Sequence, residues 1–218
     1  VTMSLGRRLA LLEWAERRGA WILEDDYDSE YRFGGRPLEA LQGLDQAGRV
    51  LYIGSFSKTL FPALRLGYLV APPELMDSLL ALRRVQAIHP PLLEQLALAD
   101  FLAEGHFARH LRRMRELYRA RRELLRRELQ TRLDDLLDIR IPEAGMHLVA
   151  WLPPGMDDRR ASDQAARHEV NAAALSRYSL EPLPRGGLLL GYASTAEAAI
   201  PEGARRLALA LRHDALGR

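Results

Sequence analysis

The chain has 218 residues, 48% of them apolar, enough for one or two domains with a sizeable core. Its net charge is only +2, and the pI near 9.1 reflects arginines that never titrate, so charge alone demands no nucleic-acid partner. The lack of cysteine excludes disulfides, thiolate metal sites and cysteine nucleophiles and fits a cytoplasmic protein, and no apolar run reaches the roughly 18–20 residues that span a bilayer.

The opening VTMSLGRRLALLEWAERRG turns to charge too soon for a signal peptide. It reads as an amphipathic helix over residues 4–18, with Leu5, Leu9, Leu12 and Trp14 near helical spacing and Gly19 ending it. That helix has no obvious start, so the chain is expected to be a piece of something longer. AWILEDDYD follows. Its apolar run from Ala20 to Leu23 predicts a buried strand ending in acids. VLYIGSFS at 50–57 and LRLGYLVAP at 64–72 predict two more strands. Short apolar strands separated by helical or looping segments predict an α/β sheet with covered faces, and ligands usually sit at the ends of such strands.

From about residue 74 the pattern becomes helical. PELMDSLLALRRVQA, with proline at its start, is one predicted helix, and PPLLEQLALADFLAEG is another, stopped at Gly105. A long helix follows from about 106 to 133, with Phe107, Leu111, Met114, Tyr118, Leu125 and Leu129 along one stripe. IRIPEAGMHLVAWLPPG predicts two strands around a turn, ASDQAARHEVNAAALSR a helix and GLLLGYA a strand. PEGARRLALALRHDAL predicts a closing helix with Pro201 in its first turn. The expected organisation is an α/β portion over 1–105 and a smaller α+β unit over 106–218 that begins with the long connecting helix.

Of the 31 basic residues, all except Lys58 are arginine. Arginine bias fits a GC-rich genome, and it singles out the surviving lysine. Lys58 follows an apolar strand, with Ser55 and Ser57 before it, Thr59 after it and Arg65 seven residues on. Burial or neighbouring cations lower a lysine pKa and let the amine attack a carbonyl. Hydroxyls with an arginine fork suit a phosphate. A carbonyl-capturing lysine beside a phosphate site points to pyridoxal phosphate (PLP). That cofactor also needs an acid at its pyridine nitrogen and a donor at its ring hydroxyl. ILEDDYDSEYRF supplies carboxylates and a tyrosine at a strand end, and adjacency of the two strands would bring them beside the lysine.

LEDDYDSEYRF followed by GSFSKTLFPALRLGYLVAP resembles the PLP-binding core of the aminotransferase-like domain of MocR-type regulators in the GntR superfamily. The resemblance is dense over residues 1–75 and looser through EAGMHLVAWLP and GLLLGYAS. It implies part of a fold-type I, PLP-dependent transferase large domain plus a small α+β C-terminal domain. It casts Lys58 as the Schiff-base lysine, Asp25 as the partner of the pyridine nitrogen and Tyr27 as the donor to the ring hydroxyl. Family spacing and strand alternation favour Asp25 over its neighbour Asp26. Arg65 resembles the phosphate-binding arginine, with Ser55 a second phosphate contact. Arg177 in ALSRYSL is the candidate for holding an effector or substrate carboxylate. The resemblance further implies a homodimer when full length, and a winged helix-turn-helix for DNA that this chain is expected to lack, together with the first part of the large domain. The implied role is sensing an amine, an amino acid or PLP itself. The alternative is a true aminotransferase, in which Lys58 also shuttles a proton as general base.

Other signals have plainer readings. Asp25, Asp26 and Asp28 also suit a turn cluster, and Tyr27 and Tyr31 suit a half-buried sheet. The arginine-rich 109–129 segment reads as the solvated face of a packed helix rather than a nucleic-acid helix. His106 and His110 have the i, i+4 spacing of a metal pair but no third ligand is evident. Gly145 suits a backbone need, and His147 a core or rim histidine.

Overall fold

The structure, a computed structural model, describes residues 3–27, 29–34, 39–87 and 91–216, with side chains through residue 212. Asp28 of the acidic cluster lies outside the described residues. The chain divides into two compact units. One comprises residues 1–30 and 35–111, the other residues 31–34 and 112–218.

In the first unit, α1 (Leu5–Arg18) ends where Gly19 turns left-handed at φ 61°, its N–H returning to the carbonyls of Ala15 and Glu16. Strand β1 (Ile22–Asp26) pairs in parallel with β2 (Val50–Ser55), and β3 (Gly67–Val70) runs antiparallel on the other side of β2. The short helix α2 (Leu41–Leu44) is tied to β1 because the Glu24 carboxylate accepts the N–H groups of Leu41 and Gln42. Asp45 accepts from the N–H groups of Ala47, Arg49 and Val50 and so delivers the chain into β2. Helices α3 (Pro73–Gln86) and α4 (Leu92–Ala103) follow, and Gly105 turns left-handed before α5 (His106–Leu133).

Two sequence expectations need correction here. Strand β1 is not buried: its residues alternate, and Leu23 is 68% exposed. The predicted strand at 64–72 shrinks to Gly67–Val70, every residue exposed, because Pro62–Leu64 forms a 3-10 turn and Arg65 turns left-handed.

The second unit is a four-stranded antiparallel sheet in the order β4 (Asp138–Arg140), β5 (His147–Trp151), β7 (Gly187–Gly191), β6 (Ala173–Ala174). Helices α6 (Asp158–Arg167) and α7 (Ile200–Leu216) accompany it, with Pro201 at the second position of α7. Leu125, Leu129 and Leu133 of α5 meet Leu148, Leu188, Leu207 and Leu211 in one buried cluster. Tyr31 belongs to this core, packing against Tyr118 with ring centroids 5.0 Å apart. The backbone of residues 31–33 is held by Gly145 N–H donating to Tyr31 O and Phe33 N–H donating to Glu143 O.

The expected helix over 161–177 stops at Arg167: Glu169 adopts φ 60°, and Ala173–Ala174 pairs with β7 instead. Among the described residues no helix is long and apolar enough to cross a membrane.

A buried carboxylate fastens that corrected region. Asp158 accepts from the Ser176 hydroxyl at 2.6 Å, the Ser176 N–H at 2.9 Å and the Gly187 N–H at 3.2 Å, joining α6 to the turn at 175–178 and to β7. Burial raises its pKa, but the Ser176 and Gly187 donors and the nearby Arg159 outweigh that and hold it below the usual value. Replacing Asp158 with alanine strands buried donors and should cost about 2–3 kcal/mol in urea denaturation. Its folded pKa lies below the unfolded one of about 3.9, so the carboxylate's contribution is complete above that value. The advantage of wild type over Asp158→Asn should therefore fade as pH falls below about 4.

Candidate functional site

The parallel register sets Asp25 opposite Ile53 and Asp26 opposite Gly54. Successive strand residues point to opposite faces, so the two aspartates part. Asp25 is exposed on the face it shares with Ile53, while Asp26 is half-buried on the other. There Asp26 accepts the Tyr52 hydroxyl at 2.8 Å and the Ser29 N–H at 3.2 Å. Tyr27, the residue after β1, is half exposed.

Strand β2 ends at Ser55, whose hydroxyl accepts the Ser57 N–H at 3.2 Å and starts the turn that carries Lys58. The turn closes through Leu60 N–H donating to Phe56 O. Thr59 is buried, and its carbonyl accepts His110 Nε2–H at 2.9 Å. Lys58 is exposed between these anchors. The chain returns through Phe56 N–H donating to Leu66 O, and Gly67 pairs with Ser55. Arg65 therefore stands two residues from the partner of Ser55. Its φ of 52° is a left-handed conformation that costs a non-glycine residue energy and recurs at ligand clamps. It also lines a groove of about 760 Å³ with Phe56, Tyr68, Arg83 and Phe107.

Lys58, Asp25, Tyr27, Ser55 and Arg65 thus share one end of one sheet. Arg177 belongs to the second unit, where it is exposed on the turn at 175–178 with Asp163 3.9 Å away. His106 Nε2 meets Glu104 Oε2 at 2.9 Å, while His110 holds the Lys58 turn. No group of three metal-binding side chains occurs among the described residues. His147 lies exposed at the start of β5 rather than in the core.

Sequence reasoning missed the floor beneath this end of the sheet. Tyr68 lies across Gly54 so closely that a Cβ there would stand 2.2 Å from its ring. Tyr68 also meets Tyr52 at 6.0 Å and Phe56 at 5.5 Å, and Phe56 meets Phe107 edge-on at 5.8 Å. Burial, then hydrogen bonding to Asp26 and Tyr68, pushes the Tyr52 hydroxyl far above its ordinary pKa, so it remains a neutral donor. A glycine inside an apolar strand marks a close approach, and that is the signal the sequence offers.

A strand-end acid and tyrosine thus stand at the same sheet end as a lysine-bearing turn. The profile of the family described as aminotransferase class I and II matches residues 3–207, and the chain belongs to that family. It is 46% identical over 205 residues to the probable rhizopine catabolism regulatory protein MocR of Rhizobium meliloti, across 94% of this chain and 42% of that protein. It is 40% identical over 214 residues to the HTH-type transcriptional regulator TauR of Rhodobacter capsulatus, across 97% of this chain and 44% of that protein. The crystal structure of LysN, the alpha-aminoadipate aminotransferase of Thermus thermophilus, complexed with N-(5'-phosphopyridoxyl)-L-leucine, aligns with a TM-score of 0.84 at 30% identity, over 96% of this chain and 55% of that one. The fold is that of the fold-type I, PLP-dependent transferases, and the resemblance to MocR-type regulators holds. The chain spans about half the length of these relatives.

The close approach at Gly54 gives a direct test. Gly54→Ala should displace the Tyr68 ring and cost about 1–2 kcal/mol in urea denaturation. Most of that cost should vanish in a Tyr68→Ala background, because the obstructing ring is gone.

Proposed function

We propose that this chain is the PLP-binding, effector-sensing part of a MocR-type transcriptional regulator. The observation that carries the reading is the parallel pairing of β1 with β2, which brings Asp25 in β1, and Tyr27 just past its end, beside the strand leading to the chain's only lysine. The donor set fits the group: a carboxylate on the open face, a half-exposed phenol, an exposed amine, a hydroxyl and a guanidinium, all at one sheet end. Bound PLP supplies an aldehyde for an amine to capture and a ring that withdraws electrons from the captured amine.

In this reading Lys58 holds the aldehyde carbon, Asp25 keeps the pyridine nitrogen protonated and Tyr27 donates to the ring hydroxyl. Arg65 and Ser55 hold the phosphate, the arginine as a two-pronged donor. Arg177 receives the carboxylate of an amino acid effector. The first unit belongs to the large domain and the second is the small domain. The full-length protein is a cytoplasmic homodimer that meets DNA through a winged helix outside this chain. An amine or amino acid alters DNA binding only by binding two states of the protein unequally.

A second reading, a working aminotransferase, draws on the 30% identity with LysN. There Lys58 additionally moves the proton at the substrate's alpha carbon. Turnover of an amino acid with a keto acid by the full-length protein, lost in Lys58→Ala, favours that reading. An amino-acid-dependent change in DNA affinity without turnover favours the regulator.

The cofactor assignment is tested by the absorbance spectrum of the full-length protein with PLP, followed by borohydride reduction and peptide mapping. A visible band and a label on the Lys58 peptide are expected, both abolished in Lys58→Ala. A full-length protein with neither band nor label overturns the assignment.

A further inference from the structure

We infer that Tyr52 and Asp26 are positioning residues that decide which of two adjacent carboxylates faces the cofactor. The inference rests on the reading above that Asp25 serves the pyridine nitrogen. Two aspartates in succession at a strand end pose a choice, because a one-residue slip or local twist exchanges their faces. Backbone pairing alone gives little protection at the last residue of β1, where the ladder stops. Three side-chain and backbone contacts supply it. The Tyr52 hydroxyl donates to Asp26 Oδ2 at 2.8 Å, from the strand that pairs with β1. The Ser29 N–H donates to Asp26 Oδ1 at 3.2 Å, fixing the chain just past Tyr27. Tyr68, from the opposite edge of the sheet, packs on Gly54, the register partner of Asp26, and backs the Tyr52 ring.

Both oxygens of Asp26 are thereby engaged on the face away from Asp25. The arrangement does two things. It holds Asp25 on the face opposite Asp26 and fixes the chain on either side of Tyr27. It also turns a second carboxylate away from the face that Asp25 occupies. Because Tyr52 keeps its proton, the tether persists across physiological pH. Tyr52 and Asp26 touch no cofactor atom in this scheme and act through Asp25.

The experiment uses the full-length protein with PLP as the probe. It compares wild type, Tyr52→Phe, Asp26→Asn, the double variant and Asp25→Asn, reading the PLP dissociation constant by fluorescence, the position of the visible band and the melting temperature. Tyr52→Phe removes one hydroxyl and Asp26→Asn keeps the side chain's shape, so both suit folding. Each should weaken PLP about tenfold, the scale of losing one hydrogen bond to a charged group. Each should also shift the band in the direction seen for Asp25→Asn, and the double variant should go no further than either single. A lower melting temperature with an unmoved band and dissociation constant makes the pair merely structural and overturns the inference. If Asp25→Asn moves the band and Tyr52→Phe does not, the inference fails while the cofactor reading stands. A wild type that shows no band overturns both.

Discussion

The pairing of β1 with β2 is the constraint on which the candidate site depends. Strand alternation turns that single register into a division of labour. Asp25 stands on one face with Ile53, and Asp26 on the other with Gly54. The same register places the end of β1 beside the strand that continues into the Lys58 turn. Nothing in the acidic segment or in the lysine segment is chemically unusual by itself. Their juxtaposition is what gathers Asp25, Tyr27, Ser55, Lys58 and Arg65 at one end of one sheet.

The turn is held from outside as well as by its own hydrogen bonds. Thr59 is buried, His110 grips its carbonyl, and the aromatic series Tyr52, Tyr68, Phe56 and Phe107 fills the face under the strand. Arg65 closes the return path in a left-handed conformation. A rigid, partly strained frame around an exposed amine keeps its position fixed without covering it. The second unit follows a different plan, with a shared leucine core and one buried carboxylate, Asp158, joining helix, turn and strand.

Local patterning makes much of the fold legible. The limits of α5, the helix stop at Gly19 and the hairpin of β4 and β5 follow from spacing, left-handed glycine and turn chemistry that act over a few residues. The same patterning overstates the burial of β1 and β3 among the described residues, because apolar side chains alone do not say what packs against a strand. Ala173–Ala174 reads as helix because alanine suits one, and only pairing with β7 makes it a strand. In the site, alternation assigns Asp25 and Asp26 to opposite faces of β1. The roles of Tyr52, Gly54, Tyr68 and His110 are not legible, since they arise from contacts between segments distant in sequence. The motif resemblance carries the residue roles; periodicity never contains them.

The exposed position of Lys58 also bears on side reactions. Aldehydes condense with any accessible lysine, and a lysine-rich surface would soak up a reactive carbonyl compound at many unproductive places. Guanidinium groups stay protonated and offer no comparable amine. With arginine at every other basic position, this chain presents a single side-chain amine, on the turn that follows β2. Carbonyl capture by its side chains is therefore confined to one address, and its stoichiometry can be counted without a background from the surface.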